Sequence, residues 1–308
     1  MNEKYNYKSS YLEMLFSQVK KNPYIKKKKT SSSKSTKKKS VKKKTVKKGS
    51  WDIFSDLNTK QNRDKLGAKF MAKHKKTLKK VSQKYGVPPE YITAIIGIES
   101  YYGANTGRYY VFDQLIHLAF DNSKRKKLYR YELQEFLRMC YREQVEPRVI
   151  KGSASGAIGL GQFLPSNYQK FAVDFNGDGK KRMSQYDDSI ASIANYFKEN
   201  GWRKGEPVAV RVSYKGNRFS KFKTGLKYKY KRKDLIDIYP KSYFNYKKEV
   251  MLIKLERAKF DELWYATKNF YVLTRYNHSS YYAMAVHQLA QKIKKEYNKN
   301  KKYNKNKK

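Results

Sequence analysis

Apolar side chains recur at helical spacing through most of residues 51–201. The longest run predicts a basic amphipathic helix over 64–84, with four inward positions: Leu66, Phe70, Leu78 and Val81. Gly86 is expected to stop this helix, and Pro88 and Pro89 to begin the next. Further helices are predicted over 126–143, after Ser166 as N-cap, and over 189–200.

The pattern changes after residue 201. Residues 207–214 alternate apolar and polar positions as a half-buried strand does, and 270–276 (FYVLTRY) is also strand-like, around a helix predicted near 246–259. A last helix is predicted from about 281 to 294. The expected fold class is mainly α (α+β), with three ordered parts: a helical region over 51–201, a small inserted mixed α/β subdomain over 202–272, and a C-terminal core segment over 273–292.

The two ends of the chain are rich in lysine and poor in apolar residues. Of 308 residues, 71 are Lys or Arg, and the formal net charge is +45. Segments 1–50 and 293–308 are therefore predicted to be disordered basic tails. Such charge attracts nucleic acid, anionic lipid headgroups or anionic wall polymers, and biased codon usage explains it equally well.

Two sequence features bear on the compartment. No run reaches the ~20 apolar residues of a membrane span, and the short run YLEMLF (11–16) contains a Glu and no cleavage site, which makes it a poor secretory signal.

Cys140 lies among apolar residues and is expected to be buried and unreactive. The four histidines show no metal-ligand spacing, so His74, His278 and His287 are interpreted as structural or solvated.

One predicted helix carries an acid where its apolar stripe requires a hydrophobic residue. In EYITAIIGIES (90–100), Ile92, Ile95 and Ile96 form the stripe, and Glu99 occupies its next position. A carboxylate on an apolar face loses hydration, which favours its neutral form and suits a general acid. The alternative is a glutamate at a fraying helix end with its carboxylate in water. Periodicity leaves both open.

A loop rich in small residues follows at 152–168 (GSASGAIGLGQFLPSNY). It lacks the Gly-Lys-Ser/Thr ending of a phosphate loop, and Leu164 breaks the dinucleotide spacing, so no organic cofactor is expected. Gln162 is placed to exchange hydrogen bonds with a carbohydrate, and Tyr101 and Tyr102 offer faces that suit sugar rings. The alternatives are a close-packed turn for the loop and core packing for the tyrosines.

Together, GIESYYG (97–103) and the loop at 152–168 resemble the membrane-bound lytic murein transglycosylase B family, glycoside hydrolase family 103. The resemblance covers about 85–202 and resumes over 270–290. It implies a lysozyme-like domain that cleaves the β-1,4 bond between N-acetylmuramic acid and N-acetylglucosamine without water, forming 1,6-anhydromuramoyl ends. It further implies Glu99 as the sole acid/base, and substrate contacts from Ser153, Gln162, Tyr196, Tyr276, Asn277, Tyr282, Lys124 and Arg125.

The segment 174–188 (DFNGDGKKRMSQYDD) follows the start of an EF-hand calcium loop. Asp174, Asn176 and Asp178 occupy positions 1, 3 and 5, and Lys180 at position 7 supplies a backbone carbonyl. Position 12 lacks its usual Glu, but the resembled family has a longer loop, which Asp188 would close. A structural Ca²⁺ is therefore expected. The alternative is an Asx-rich turn without metal.

These observations favour a monomeric peptidoglycan lytic transglycosylase that acts in the periplasm or cell wall, delivered by a route that the sequence leaves open. A hydrolytic muramidase is the nearest alternative. A non-catalytic peptidoglycan-binding protein is a second, and a nucleic-acid-binding protein, suggested by the charge, is a third.

Overall fold

The computed structural model describes residues 7–19, 48–59, 62–120 and 124–305. Their helices are α1 (Ser9–Ser17), α2 (Ser50–Thr59), α3 (Arg63–Lys73), α4 (Lys75–Tyr85), α5 (Pro89–Ser100), α6 (Val111–Phe120), α7 (Lys126–Glu143), α8 (Pro165–Phe171), α9 (Tyr186–Glu199), α10 (Lys268–Tyr276) and α11 (Ser280–Lys305). Their strands are β1 (Tyr109–Tyr110), β2 (Lys151–Gly152), β3 (Ala209–Tyr214), β4 (Lys229–Tyr230), β5 (Ile238–Pro240), β6 (Val250–Glu256) and β7 (Asp261–Ala266).

The chain divides into two compact units. Of the described residues, the first unit holds 7–19, 107–120, 124–158 and 163–169. The second holds 48–59, 62–106, 159–162 and 170–305. None of the described helices combines the length and the apolar character that crossing a bilayer requires.

In the first unit, α6 packs on α7. The α7 residue Glu132 is buried, and its carboxylate accepts hydrogen bonds from the Ser166 backbone N–H (2.9 Å) and hydroxyl (2.7 Å). The Glu132 carboxylate therefore caps the start of α8. Because α8 begins at Pro165, Ser166 lies inside the helix, and the prediction that Ser166 is the N-cap is wrong. Strands β1 and β2 pair antiparallel, with Tyr109 opposite Gly152.

The predicted N-terminal tail needs correction where the structure describes it. Residues 9–17 form α1 because Leu15 is buried and the Tyr7 hydroxyl donates to the Leu137 carbonyl, which ties this segment to α7. Residues 1–6 and 20–47 of the predicted tail lie outside the described residues.

In the second unit, α5 is buried on nearly all sides and packs against α3, α9 and α11. The single helix predicted over 64–84 is two helices, because His74 leaves helical geometry (φ −101°, ψ 24°) and stacks on Tyr186, with 4.4 Å between ring centroids. Gly86 ends α4 with φ 73°, and Pro89 begins α5, as predicted.

Five strands of the second unit form an antiparallel sheet in the order β4-β6-β7-β3-β5. The predictions for two segments were reversed. The helix expected at 246–259 is β6, which is buried and hydrogen-bonded to a strand on each side. The strand expected at 270–276 is α10, whose N-cap Thr267 accepts a hydrogen bond from the Asn269 N–H (3.1 Å).

The last helix is longer than its sequence indicated. The disordered tail predicted over 293–308 is helical as far as Lys305. Ile293 is buried where α11 meets α3, and Lys294 pairs with Glu90 of α5 at 2.9 Å. These contacts fix the start of a segment whose composition suggested disorder.

Candidate active site

Glu99 lies in the last turn of α5, at the end of a stripe of fully buried isoleucines. The helix stops immediately after it, because Tyr101, Tyr102 and Gly103 have positive φ values of 51°, 61° and 94°. A left-handed conformation is unfavourable for a residue with a side chain, so two in succession require support from their surroundings.

The ring of Tyr102 supplies this support. Its hydroxyl donates to the Arg63 carbonyl, and its ring lies on Gly97 of α5. A Cβ at Gly97 would lie 2.5 Å from Tyr102 Oη, and one at Gly67 of α3 would lie 2.7 Å from the same atom. Tyr102 is therefore a packing residue that joins α3 to the end of α5. The core-packing interpretation of this tyrosine is the one that its contacts favour.

Glu99 has a hydrogen-bond donor on a distant part of the chain. The Tyr282 hydroxyl of α11 donates to Glu99 Oε1 at 2.6 Å. Burial removes water from the carboxylate and raises the pKa of Glu99 from 4.5 to about 7, although the Tyr282 hydrogen bond acts in the opposite direction. Near neutral pH, a substantial fraction of Glu99 therefore carries the proton that a general acid needs.

Two further tyrosines hold Tyr282 in place. The Tyr276 ring stacks parallel to that of Tyr282, with 6.4 Å between centroids and 9° between planes. Tyr196 contacts Tyr276 edge to face at 4.9 Å, and its hydroxyl donates to the Arg275 carbonyl at 2.5 Å. Burial, and secondarily the charge of Glu99, raise the pKa of both Tyr276 and Tyr282 well above the usual range, so both remain neutral donors.

The small-residue loop enters this cluster at Gly161. The Tyr276 hydroxyl donates to the Gly161 carbonyl, and a Cβ at this glycine would lie 2.9 Å from Tyr276 Oη and 3.0 Å from Ile193 Cγ1. The glycine thus allows the loop backbone to approach the Tyr276 ring. The hydroxyls of Tyr196, Tyr276 and Tyr282 all donate to protein acceptors, which makes these residues a scaffold for Glu99.

Gln162 adopts a left-handed conformation, with φ 49°. Its Nε2 donates to the carbonyls of Thr106 (3.0 Å) and Gly159 (2.8 Å). Since these bonds occupy the amide hydrogens, an incoming ligand must donate to Gln162 Oε1. The second unit therefore brings together Glu99 and Tyr282 and, through Tyr276 and Gly161, links them to Gln162.

The remaining predicted substrate residues differ in setting. In the first unit, Ser153 Oγ accepts from the Ala157 N–H (3.0 Å) and thereby orders the turn after β2, while Lys124 and Arg125 are exposed just before α7. In the second unit, Asn277 is exposed after α10, and its carbonyl accepts from the Ser279 N–H.

The predicted calcium loop is folded around its own acidic side chains. Asp174 accepts from the N–H groups of Gly177 (2.8 Å) and Gly179 (2.9 Å). The buried Asp188 accepts from those of Phe175 (2.9 Å) and Arg182 (2.8 Å). Within the described ranges, no three His, Cys, Asp or Glu residues form a cluster that could hold a metal. An oxygen set that includes Asn176 and the Lys180 carbonyl remains chemically suited to Ca²⁺.

Sequence reasoning missed a buried hydrogen bond between the helices that carry Glu99 and Tyr282. The Tyr91 hydroxyl of α5 and His287 Nδ1 of α11 lie 2.8 Å apart. Burial lowers the pKa of His287 to about 4, so the ring is neutral in most conditions. The sequence had indicated a structural histidine, but only the fold reveals its partner.

The chain's relatives agree with this architecture. Residues 1–291 match the family described as the transglycosylase SLT domain, and the chain belongs to this family. It is 38% identical over 247 residues to membrane-bound lytic murein transglycosylase B of Escherichia coli (strain K12), covering 80% of this chain and 68% of that protein. The family predicted from the two motifs is thereby confirmed.

Solved structures are similar over most of the chain. The E. coli lytic transglycosylase Slt35, solved in complex with bulgecin A and with calcium, has a TM-score of 0.75 and 38% identity, covering 80% of this chain and 78% of its own. SltB1 of Pseudomonas aeruginosa has a TM-score of 0.83 and 33% identity, covering 96% and 95%. SltB3 of the same species, in complex with NAG-NAM-pentapeptide, has a TM-score of 0.73 and 26% identity, covering 79% and 67%. The predicted mainly α, lysozyme-like fold class is confirmed.

Proposed function

We propose that this protein is a peptidoglycan lytic transglycosylase in which Glu99 is the sole acid/base. The observation that carries the proposal is the setting of Glu99: a desolvated carboxylate with a pKa of about 7 and one tyrosine donor. Among the described residues, no second carboxylate contributes to the pKa of Glu99. Most glycosidases use two carboxylates, so one acid suits a reaction that needs no water.

In this reaction Glu99 acts twice. Its protonated carboxyl first gives the proton to the glycosidic oxygen as the bond to the anomeric carbon of the muramoyl residue breaks. The electron pair of the broken bond leaves with the oxygen that becomes the N-acetylglucosamine hydroxyl, and the substrate's own N-acetyl oxygen bonds to the anomeric carbon in its place. The Glu99 carboxylate, held by the Tyr282 hydroxyl, then takes the proton from the muramoyl 6-hydroxyl as the oxygen of that hydroxyl displaces the N-acetyl oxygen from the anomeric carbon. The product is a 1,6-anhydro ring, and Glu99 ends in its starting protonation state.

Other residues would orient the substrate. We propose that Gln162 Oε1 accepts a hydrogen bond from a sugar hydroxyl, because the amide hydrogens are already occupied. Ser153 and Asn277 are proposed to contact the saccharide, and Lys124 and Arg125 the peptide-stem carboxylates. Lys124 offers a single charge where Arg would give a bidentate pair. The complex of SltB3 with NAG-NAM-pentapeptide supports a substrate that carries both glycan and peptide.

A structural Ca²⁺ is proposed for the loop at 174–188. The residues that would hold it are Asp174, Asn176, Asp178, the Lys180 carbonyl and Asp188. The calcium complex of Slt35 supports this assignment. The ion would neutralise the converging carboxylates and fix the start of α9. The ion pair between Arg182 and Asp178 competes with the metal, so a modest affinity is expected.

Mass spectrometry of digested murein sacculi tests the proposed function. Anhydromuropeptides, lighter than their reducing counterparts by one water, should accumulate with the unaltered protein and vanish with Glu99→Gln. Glu249→Gln makes the same chemical change at an exposed position just before β6 and should leave the products unchanged. Reducing muramoyl ends would instead establish a hydrolase, and binding to sacculi without any released product would establish a wall-binding protein. Both results would refute the proposal.

A further inference from the structure

Helix α4 has two sharply different sides. Its buried residues, Leu78, Val81 and Tyr85, lie along one side and face the core of the second unit. At 3.6 residues per turn, the opposite half of the helix carries five exposed lysines: Lys75, Lys76, Lys79, Lys80 and Lys84. We name this side of α4 the lysine face. Helix α3 precedes it with three more exposed lysines: Lys65, Lys69 and Lys73.

The charge of the lysine face is not paired within the described residues, although Asp187 of α9 accepts a hydrogen bond from the Thr77 hydroxyl of α4 (2.6 Å). No acidic residue occurs between Asp64 and Glu90 in the sequence. Among the described residues, no ion pair involves any of these eight lysines. Lys73 and Lys84 instead lie over the rings of Tyr186 and Phe175, which leaves their charge in place. Lysines four residues apart on a helix repel each other, so this arrangement opposes helix formation.

We infer that the lysine face binds a linear polyanion with closely spaced phosphodiester charges and no aromatic groups, such as a poly(polyol phosphate) attached to a cell wall. The inference rests on the proposed function, which places the enzyme on the wall. The helical rise puts Lys76, Lys80 and Lys84 about 6 Å apart along the axis, so that one extended chain can meet successive charges. Binding would hold the enzyme beside its substrate.

Two other polyanions fit the lysine face less well. Helices that enter a lipid surface place large apolar side chains beside their basic residues, but none of the exposed large hydrophobic residues lies on α3 or α4. Proteins that bind single-stranded nucleic acid combine cations with aromatic platforms for the bases, and neither helix exposes a Phe, Tyr or Trp. Two aromatic rings beside these lysines, Tyr186 and Phe175, belong to other segments and lie under Lys73 and Lys84, so α3 and α4 themselves offer a row of charges without exposed aromatic platforms.

The test compares two full-length variants with the same loss of charge. The first neutralises the lysine face by changing to glutamine Lys75, Lys76, Lys79 and Lys80. The matched control changes to glutamine four exposed lysines elsewhere in the second unit: Lys215, Lys227, Lys229 and Lys247. The basic tails are retained in both. Binding of end-labelled poly(glycerol phosphate) is measured by fluorescence anisotropy over a range of salt concentrations.

The first variant should bind at least about tenfold more weakly than the unaltered protein. At about 0.7 counterions released per contact, the slope of log K against log salt should also fall by roughly 3. The control should change binding less than about twofold. Thermal unfolding should show the first variant to be at least as stable as the unaltered protein, since it relieves repulsion. Equal losses in the two variants, or none in the first, would overturn the inference.

Two competing ligands decide the partner class. Oligothymidylate with the same number of phosphates and vesicles rich in phosphatidylglycerol are titrated in parallel. Tighter binding of either one, lost selectively in the first variant, would replace the wall polymer with a nucleic acid or a membrane. Turnover of soluble glycan fragments is measured separately and should be equal in all three proteins. Loss of polymer binding is thus distinguishable from failure of the proposed function, which would appear as absent turnover with binding intact.

Discussion

Glu99→Gln should stabilise the folded protein at alkaline pH while removing its activity. Burial raises the pKa of Glu99 from 4.5 to about 7, so the folded state holds the proton more tightly than the unfolded state does. The corresponding stability is fully present below the unfolded pKa and is lost as the pH rises through the folded pKa. At 1.36 kcal/mol per pKa unit, that loss amounts to about 3 kcal/mol. Glutamine keeps an acceptor for Tyr282 but cannot ionise, and it avoids this loss.

Urea unfolding of both proteins at a series of pH values, with calcium held constant, measures the effect. The free energies of unfolding should agree near pH 4, diverge between about pH 4.5 and 7, and differ by about 3 kcal/mol in favour of the variant near pH 8. Glu249→Gln, at an exposed position, should show no such divergence. A gain that is independent of pH, or a variant that is less stable near pH 8, would refute the argument that burial keeps Glu99 protonated.

Three further predictions concern the groups around this carboxylate and the loop. Tyr282→Phe removes a hydrogen bond to the charged form of Glu99, worth ~1.5–3 kcal/mol, and so raises the pKa of Glu99. The alkaline limb of the profile of kcat/KM against pH should therefore move up by ~1–2 pH units, and an unmoved limb would contradict this. Gly161→Ala places a methyl group 2.9 Å from Tyr276 Oη. Turnover of soluble fragments should therefore fall ~10–100-fold, and the free energy of unfolding should fall by ~1–3 kcal/mol. Unchanged turnover would show that Tyr276 can shift without affecting Glu99. Calcium at 100 times its Kd should stabilise the unaltered protein, relative to the same protein in chelator, by ~2.7 kcal/mol and Asp188→Asn by much less. Equal calcium-dependent gains in thermal stability for the two proteins would exclude the loop as the site.

The sequence singled out Glu99 but not the hydroxyl group that contacts its carboxylate. Apolar periodicity was enough to mark Glu99 as a candidate, because a polar residue within the apolar stripe of a helix is easily recognised in the sequence. Tyr282 lies 183 residues further along, and no local pattern connects the two. Only the family resemblance placed it near the site, and only the fold showed its hydroxyl on Glu99 Oε1.

The errors in secondary structure have a common physical origin. Segment 250–256 became a strand because partners on both sides satisfied its backbone, and 268–276 became a helix after an N-cap at Thr267. Segment 250–256 is rich in apolar residues and 268–276 in apolar and aromatic ones. Such residues suit either structure, so tertiary contacts decided the outcome. The helix α11 extended past its expected end for a similar reason, since Ile293 and Lys294 find partners on α3 and α5.

The packing of Tyr102 has a consequence for how this chain tolerates mutation. Gly67 and Gly97 lie on different helices, yet the same phenol oxygen occupies the space that a methyl group would need at either one. A saturation-mutagenesis map should therefore mark both glycines as nearly as intolerant as Glu99, although neither has a functional group to offer a substrate. Gly67, Gly97 and Tyr102 are therefore expected to vary together. A larger residue at Gly97 requires a smaller one in place of Tyr102, and a larger residue at Gly67 requires in addition that Ile293 give way, since a Cβ there would lie 2.6 Å from Ile293 Cγ1.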